Sequence, residues 1–283
     1  KGARADTQVE IMEEGAESFL EPKEGALADA VSFLKNRPAG RPFCLTLAFN
    51  VPHNGGTGSM ELRPSDPELY RTTYRDQIGT IPLPPTYIAK ADIRTPKLPP
   101  DVLHAQYRQK SYDYVDTPEA QRERLVREYQ TISGVDRLVG ELRSQLQRLG
   151  LADDTVIVFA SDHGIMHGEF GLGGKALNYD PCLRVPMIVA DPQAPAAARG
   201  RRSPALVQSI DIAPTLLDYA GVVAPATMQG ESFRAEVEGR RFEGRRYAFA
   251  ENLWSTAFGN PRCESVRTAE WKYIRYFAND RSI

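Results

Sequence analysis

The sequence predicts an α/β fold, a mainly parallel sheet flanked by helices, followed by a small antiparallel C-terminal subdomain. Two short apolar runs, 43–49 and 155–160, have the composition of strands that are buried on both faces of a parallel sheet. A long helical pattern leads directly into the second run, as a helix-to-strand crossover does. We therefore predict a main α/β domain over residues 1–222 and a subdomain over residues 223–283.

The first part of the chain alternates one helix, one strand and a long polar stretch. Residues 24–35 have apolar residues at helical spacing and are followed by an Asn- and Gly-containing stop. The strand over 43–49 follows, and it ends in a polar, glycine-containing loop headed by His53. Residues 57–117 are rich in Pro and Tyr with weak periodicity, which predicts an irregular insertion that shapes a pocket.

The second part carries the strongest helix signal of the chain. Residues 118–149 place apolar residues three and four apart, and Gly150 follows as a stop signal. Strands are predicted over 155–160 and 183–190, and Asp211 is predicted to cap a short helix that ends before Gly221. After residue 222, Arg-rich short runs indicate three antiparallel strands.

Composition excludes several function classes. The 35 basic and 37 acidic residues leave a formal net charge of −2, which argues against a general binder of nucleic acid or anionic membranes. No apolar stretch approaches the ~20 residues of a membrane span. The three cysteines, Cys44, Cys182 and Cys263, include no CxxC pair, so we predict buried free thiols and neither a disulfide framework nor a zinc knuckle.

A candidate site follows the strand over 155–160. Asp162 and His163 come directly after it, and a glycine-rich loop leads from them to Lys175. Open α/β folds bind ligands at the carboxyl ends of their strands, and His53 follows a second predicted strand. Three glycines permit left-handed backbone, so that the loop can fold Lys175 back toward Asp162. These are Gly171, Gly173 and Gly174.

Taken together these side chains suit a tetrahedral oxyanion. A divalent cation on Asp162, a lysine and a histidine form an electrophilic clamp for sulfate or phosphate. Each residue also has a purely structural reading: an Asp-His pair caps turns, Lys175 alone is typical of a solvated side chain, and His53 can cap its own loop. His167 and Glu169 are predicted to be structural. The glycines follow neither P-loop nor dinucleotide-binding spacing.

These residues resemble a known family. The segments 161–164 and 168–175, with Tyr179 and residues 183–189, resemble the central block of the type I sulfatases, which belong to the alkaline-phosphatase-like superfamily. The resemblance extends to three further segments and so covers most of the chain except the insertion. Those segments are 43–53, 211–217 and 271–275.

The resemblance implies roles for four residues. It implies that Asp162 and His163 are metal ligands, usually for calcium, that Lys175 contacts the sulfate group, and that His53 lies on the same group as a proton donor or stabiliser. It also implies a formylglycine nucleophile, a sulfated small molecule or glycan as substrate, and a periplasmic or extracellular location. The predicted function is hydrolysis of a sulfated carbohydrate or an aryl sulfate.

The sequence departs from the family pattern at the nucleophile. The family makes formylglycine from a Cys/Ser-x-Pro-x-Arg motif near its N-terminus, beside an early pair of aspartates, and this chain has neither. Residues 263–267 match the motif only in outline and lie after Asp162, so we interpret them as a coincidental strand. The family commonly has Gly-Glu-His-Gly at the segment 168–171, and in this chain Phe170 stands in place of the histidine. We expect the chain to be a fragment that is inactive alone.

Two alternatives remain open at this point. The first is a phosphonate monoester hydrolase or phosphodiesterase of the same superfamily, because tetrahedral phosphate fits the same clamp. The second is a non-catalytic module that binds sulfated glycans through Lys175 and the basic C-terminal part.

Overall fold

The structure, a computed structural model, describes residues 27–49, 52, 68–93, 114–253 and 262–277. The chain forms two compact units, the first comprising residues 1–92 with 113–152, and the second residues 93–112 with 153–283. These units divide the chain at other places than residue 222. The predicted division into residues 1–222 and 223–283 stays a prediction about domains.

The secondary structure follows the α/β composition that the sequence predicts. The helices of the described residues are α1 (Ala28–Asn36), α2 (Glu68–Thr72), α3 (Pro118–Arg148), α4 (Asp180–Leu183), α5 (Ile212–Tyr219) and α6 (Arg234–Val237). The strands are β1 (Ile157–Ala160), β2 (Met166–His167), β3 (Gly173–Gly174), β4 (Met187–Ala190), β5 (Ala248–Asn252), β6 (Arg262–Arg267) and β7 (Lys272–Phe277). Among these helices, none has the length and apolar character that a bilayer crossing requires.

Helix α3 dominates the first unit and confirms the strongest helix prediction. Its N-cap Thr117 accepts a hydrogen bond from the backbone N–H of Ala120 at 3.2 Å, and Pro118 occupies the first turn, where a missing N–H costs nothing. Gly150 follows the helix with φ +67°, the left-handed conformation that ends many helices. Apolar residues along one face are buried. They include Leu125, Val135, Leu138 and Leu146.

Helix α3 also buries polar side chains, because residues 68–92 pack against it. Arg75 Nη1 lies 2.5 Å from Glu123 Oε2, and Gln130 Nε2 donates to the Thr73 carbonyl at 2.7 Å. The described part of the predicted insertion therefore contains helix α2 and short 3₁₀ turns that cover α3. It is more regular than its sequence indicates.

The predicted strand over 43–49 is not confirmed. These residues form neither helix nor strand within the described ranges. Their exposure alternates residue by residue, so the run is half-buried on one face and not buried on both. Cys44 lies on the exposed face, which corrects the prediction of a buried thiol, whereas Cys182 and Cys263 are buried and all three are free. A continuous hydrophobic run is compatible both with a strand buried on two faces and with a segment half-buried on one face, so the sequence did not distinguish them.

In the second unit the central pair of strands is antiparallel. Strand β1 pairs with β4 in the register Ile157 to Ala190 and Ala160 to Met187. A parallel pair needs a long crossover connection, and the residues between β1 and β4 instead form a hairpin and the four-residue helix α4. The predicted strand over 183–190 is therefore shorter, and Ile188 is 62% exposed rather than buried.

The predicted antiparallel C-terminal sheet is confirmed, with strand order β5–β6–β7. One face of this sheet is buried: Cys263 is 0% exposed and Ser265 is 6% exposed. Tyr276 of β7 packs against a core cluster in the segment that precedes β4. The cluster contains Met166, Leu172, Leu177 and Cys182. The sheet and the glycine-rich loop thus share one hydrophobic core.

Helix α5 begins at Ile212, but Asp211 does not cap it as predicted. The Asp211 carboxylate accepts no capping hydrogen bond from α5. It accepts hydrogen bonds from the backbone N–H groups of Gln208 and Glu231, each at 2.8 Å, and forms an ion pair with Arg245 at 2.5 Å. This buried carboxylate therefore joins three segments of the second unit, a role that helix-start patterns do not reveal.

Candidate active site

The candidate site begins where strand β1 ends. Ser161 Oγ donates to the His163 carbonyl at 2.9 Å, and the His163 backbone N–H donates to Asp162 Oδ1 at 2.8 Å. These two local hydrogen bonds close a tight turn, as Ser and Asp side chains do next to their own backbone. The turn leaves the Asp162 side chain 83% exposed and the His163 side chain 40% exposed.

Gly164 allows this turn to approach helix α4. Its N–H donates to the Cys182 carbonyl at 2.9 Å. A Cβ at this position would lie 1.9 Å from the Pro181 carbonyl oxygen, so only glycine fits without displacement. The Asp162–His163 turn is thus fixed to α4 by a backbone contact that requires residue 164 to lack a side chain.

The glycine-rich loop is a β-hairpin. Strands β2 and β3 pair antiparallel, with Met166 opposite Gly174. Gly171 and Gly174 have φ of 72° and 76°, as the predicted left-handed glycines require, whereas Gly173 lies in β3 without positive φ. Glu169 Oε2 accepts the backbone N–H of His167 at 2.5 Å, which agrees with its predicted role as a loop acceptor. The hairpin reverses the chain and returns Lys175 to the Asp162 turn.

Lys175 lies directly beside the turn. Its Nζ is 2.8 Å from His163 Nε2, and the same Nε2 is 3.3 Å from Asp162 Oδ2. His163 Nδ1 lies 3.0 Å from the Gly164 carbonyl, which can only accept, so the proton belongs on Nδ1. The Nε2 lone pair then accepts a hydrogen bond from the Lys175 ammonium. Three of the four predicted site residues are therefore contiguous.

The fourth predicted residue, His53, lies outside the described residues. The placement of His53 near Lys175 stays a prediction.

The donor set fits a divalent cation only in part. Asp162 Oδ2 and His163 Nε2, 3.3 Å apart, could occupy neighbouring positions around one ion. Calcium takes six to eight oxygen ligands, and the described residues contain no group of three or more His, Cys, Asp or Glu side chains that could hold a metal. Further ligands would have to come from outside those residues, and the Lys175 hydrogen bond competes for Nε2.

Sequence reasoning missed the residues that anchor the segment after Lys175. Asp180, at the start of α4, pairs with Arg267 Nη1 at 2.5 Å and with Lys272 Nζ at 2.9 Å. Asn178, which is 2% exposed, and Asn252 make side-chain hydrogen bonds across the same junction. The partners are separated by more than 70 residues, so no local pattern could have shown these contacts.

The Asp180 ion pairs predict a pH-dependent stability. Partial burial alone would raise the pKa of Asp180, but hydrogen bonds from Lys272 and Arg267 outweigh it and hold this pKa below its usual value. A lowered carboxyl pKa stabilises the fold above the unfolded pKa, and that contribution is lost as the pH falls through the folded value.

We therefore expect the free energy of unfolding of the wild type to fall more steeply than that of Asp180→Asn between about pH 5 and about pH 3. Urea denaturation at several pH values measures this difference. Asp153→Asn, at an exposed position of the same unit, is the matched control and should follow the wild type. Parallel curves for wild type and Asp180→Asn would contradict the prediction.

The Cys263 segment is a strand, as the interpretation of a coincidental motif requires. Cys263 is 0% exposed in β6, between Asn252 of β5 and Tyr276 of β7. Burial raises the pKa of its thiol, which disfavours the thiolate. This environment is the opposite of that of an activated nucleophile.

Comparison with known proteins identifies relatives across most of the chain. The Sulfatase family profile matches residues 22–222, and the profile described as N-sulphoglucosamine sulphohydrolase, C-terminal, matches residues 168–282. An N-acetylglucosamine-6-O-sulfatase of Bacteroides thetaiotaomicron is 34% identical over 151 residues, covering 52% of this chain and 27% of the relative. A choline-sulfatase of Rhizobium meliloti is 31% identical over 275 residues, covering 87% of this chain and 46% of the relative. An arylsulfatase of Clostridium perfringens is 26% identical over 265 residues, covering 92% and 50%.

Solved structures share the fold. A protein in complex with its substrate D-glucosamine-2-N,6-O-disulfate has a TM-score of 0.64 at 22% identity, covering 93% of this chain and 61% of that one. A phosphonate monoester hydrolase from Silicibacter pomeroyi has a TM-score of 0.68 at 24% identity, covering 91% and 52%. At such low identity these likenesses show the fold alone, and they confirm the predicted α/β class. The chain spans between about a quarter and a half of the length of the curated relatives named above.

Proposed function

The chain belongs to the sulfatase family, and from this membership we propose that the whole protein hydrolyses a sulfate ester. One observation carries the proposal: Lys175 Nζ, His163 Nε2 and Asp162 Oδ2 form a contiguous, solvent-accessible cluster at the end of strand β1. The positively charged Lys175 ammonium, next to the His163 imidazole and the Asp162 carboxylate, suits a substrate that carries a tetrahedral anion. The reaction consumes water and releases an alcohol and inorganic sulfate.

Lys175 is proposed to bind the sulfate group. Its ammonium can donate to the sulfate oxygens, on which negative charge must be held as the ester bond breaks. The exposed side chains of Asp162 and His163 leave one side of the cluster open to an incoming ester. His53 is proposed to lie on the same sulfate group, as the family resemblance implies, and to stabilise it or donate the proton to the leaving oxygen.

Asp162 and His163 are proposed as two ligands of a divalent metal, with calcium as the candidate ion. Sulfatases generally use a formylglycine and a divalent metal, which supply the nucleophile and neutralise the sulfate charge when present. Asp162 suits calcium because its carboxylate is exposed and oxygen is the preferred donor. His163 would have to exchange its contact with Lys175 for the ion.

The substrate class is proposed to be a sulfated carbohydrate or an aryl sulfate. The names of the curated relatives support this range, since they include an N-acetylglucosamine-6-O-sulfatase and an arylsulfatase. The membership favours sulfate esters over phosphonate esters, although both groups are tetrahedral anions of similar size.

Rates of the full-length protein on matched esters test the proposal. We expect 4-nitrophenyl sulfate or N-acetylglucosamine-6-sulfate to be hydrolysed faster than the matched phenyl phosphonate ester, with loss of activity on EDTA treatment and recovery with calcium. Faster turnover of the phosphonate would favour the phosphonate hydrolase alternative. Sulfated-glycan binding without any turnover would favour the non-catalytic module.

A further inference from the structure

The backbone just after Lys175 is held in an unusual conformation. Ala176 has φ +69°, a left-handed conformation that non-glycine residues rarely adopt. Such a conformation persists only where surrounding contacts hold it. On the N-terminal side, Gly174 is paired with Met166 in the β2–β3 hairpin. On the C-terminal side, the contact that holds the Ala176 backbone therefore bears on the direction in which the Lys175 side chain points.

That contact comes from the C-terminal sheet. Asn252 Nδ2, at the end of strand β5, donates to the Ala176 carbonyl at 2.6 Å. In the opposite direction, Asn178 Nδ2 donates to the Ala250 carbonyl of the same strand at 3.0 Å. The two amides form a reciprocal clasp between β5 and the segment that carries Lys175. Asn178 is 2% exposed, so water does not readily replace its hydrogen bond.

We propose that Asn252 is a positioning residue for Lys175. Its hydrogen bond holds the Ala176 carbonyl, maintains the left-handed backbone, and so keeps the Lys175 ammonium beside His163 Nε2, 2.8 Å away. This inference rests on the proposed function, in which Lys175 binds the sulfate group. It makes the C-terminal sheet part of the scaffold of the site, although Asn252 is not assigned any contact with substrate.

The substitution Asn252→Asp tests this role because it keeps the shape and removes the donor. In the full-length protein we expect kcat/KM for a sulfate ester to fall about 10-fold, since small displacements of a binding group strongly affect rate. In a Lys175→Ala background the same substitution should change kcat/KM less than about 2-fold, because residues that act through one another are not additive. If Asn252→Asp lowered kcat/KM by the same factor in the wild type and in the Lys175→Ala background, the proposal would be overturned.

Gln208→Glu is the matched control. Gln208 Nε2 also donates to a carbonyl of strand β5, that of Phe249 at 2.8 Å, but it has no contact with the Lys175 segment among the bonds described. It should leave kcat/KM within about 2-fold of wild type. If it reduced activity as much as Asn252→Asp, general damage to the sheet would explain both results and the positioning role would be rejected. Asn252→Thr, which suits a strand but is too short to reach Ala176, provides a second variant if Asn252→Asp does not fold.

Crystal structures separate this inference from the proposed function. If the wild type does not turn over sulfate esters, the proposed function is wrong, and if Lys175→Ala leaves turnover unchanged, the role of Lys175 in sulfate binding is wrong. In both cases the positional effect can still be measured. In the Asn252→Thr structure, a separation of Lys175 Nζ and His163 Nε2 beyond hydrogen-bonding distance supports the positioning role. An unchanged contact of 2.8 Å contradicts it.

Discussion

Replacing Lys175 with alanine is expected to lower kcat/KM for sulfate ester hydrolysis by the full-length protein by about 10²- to 10³-fold. The ammonium lies 2.8 Å from His163 Nε2, at the exposed cluster where the sulfate group is proposed to bind. Its removal deletes a positive charge where negative charge must be stabilised, and alanine provides no substitute donor. Steady-state kinetics on an aryl sulfate measure the effect.

A matched lysine distinguishes local chemistry from loss of net charge. Lys90→Ala removes a lysine that pairs with Asp116 in the first unit and is 64% exposed. This control should retain activity within about 2-fold, because surface ion pairs contribute little to stability and Lys90 is not in the candidate site. Arginine at position 175 should restore only part of the rate, since its charge is kept but its planar geometry differs. Wild-type turnover by Lys175→Ala would rule out the assigned role.

Replacing Gly164 with alanine is expected to destabilise the protein by about 3 kcal/mol, within the upper part of the range for overpacking. The added Cβ would lie 1.9 Å from the Pro181 carbonyl oxygen and 3.0 Å from its carbonyl carbon. Because both atoms belong to the backbone, no side-chain rotation can relieve the clash. The turn must move away from helix α4, which breaks the hydrogen bond from Gly164 N–H to the Cys182 carbonyl.

The same displacement should reduce activity by at least about 100-fold, because Asp162 and His163 immediately precede residue 164. Urea denaturation and steady-state kinetics of the full-length variant measure the two effects together. Gly140→Ala is the control: it lies within helix α3, a Cβ there meets nothing within 4 Å, and alanine should be neutral or slightly stabilising. A Gly164→Ala protein as stable as Gly140→Ala would show that the close approach to Pro181 is wrong.

The sequence was sufficient where the determining interactions are local. Helix α3 was predicted within one residue at its C-terminal end, because its apolar spacing, its N-cap and its glycine stop all act within a few residues. The pattern was less reliable about which of its faces is buried. Tyr129 and Ile132 have the spacing of the apolar stripe, yet they are 38% and 52% exposed, while Gln130 is fully buried against residues 68–92.

Where pairing partners matter, the sequence was less informative. The runs 43–49 and 183–190 have the composition of doubly buried strands, but the first is unpaired within the described residues and only residues 187–190 of the second form a strand. The run 155–160 was expected to form a parallel strand, but in the structure its strand β1 pairs antiparallel with β4. Hydrophobicity favours a strand, but it carries no information about which faces of that strand are covered or about the direction of its neighbour.

The sequence by itself was enough to predict that Asp162, His163 and Lys175 lie together, because they follow one strand and are linked by glycines that let the chain turn back. Only the tertiary structure showed how that site is held. Gly164 against Pro181, Asp180 with Arg267 and Lys272, and Asn252 on Ala176 are contacts between distant segments. Short-range backbone geometry is encoded in neighbouring residues, whereas these contacts depend on the packing of the C-terminal sheet against the loop, which no local pattern specifies.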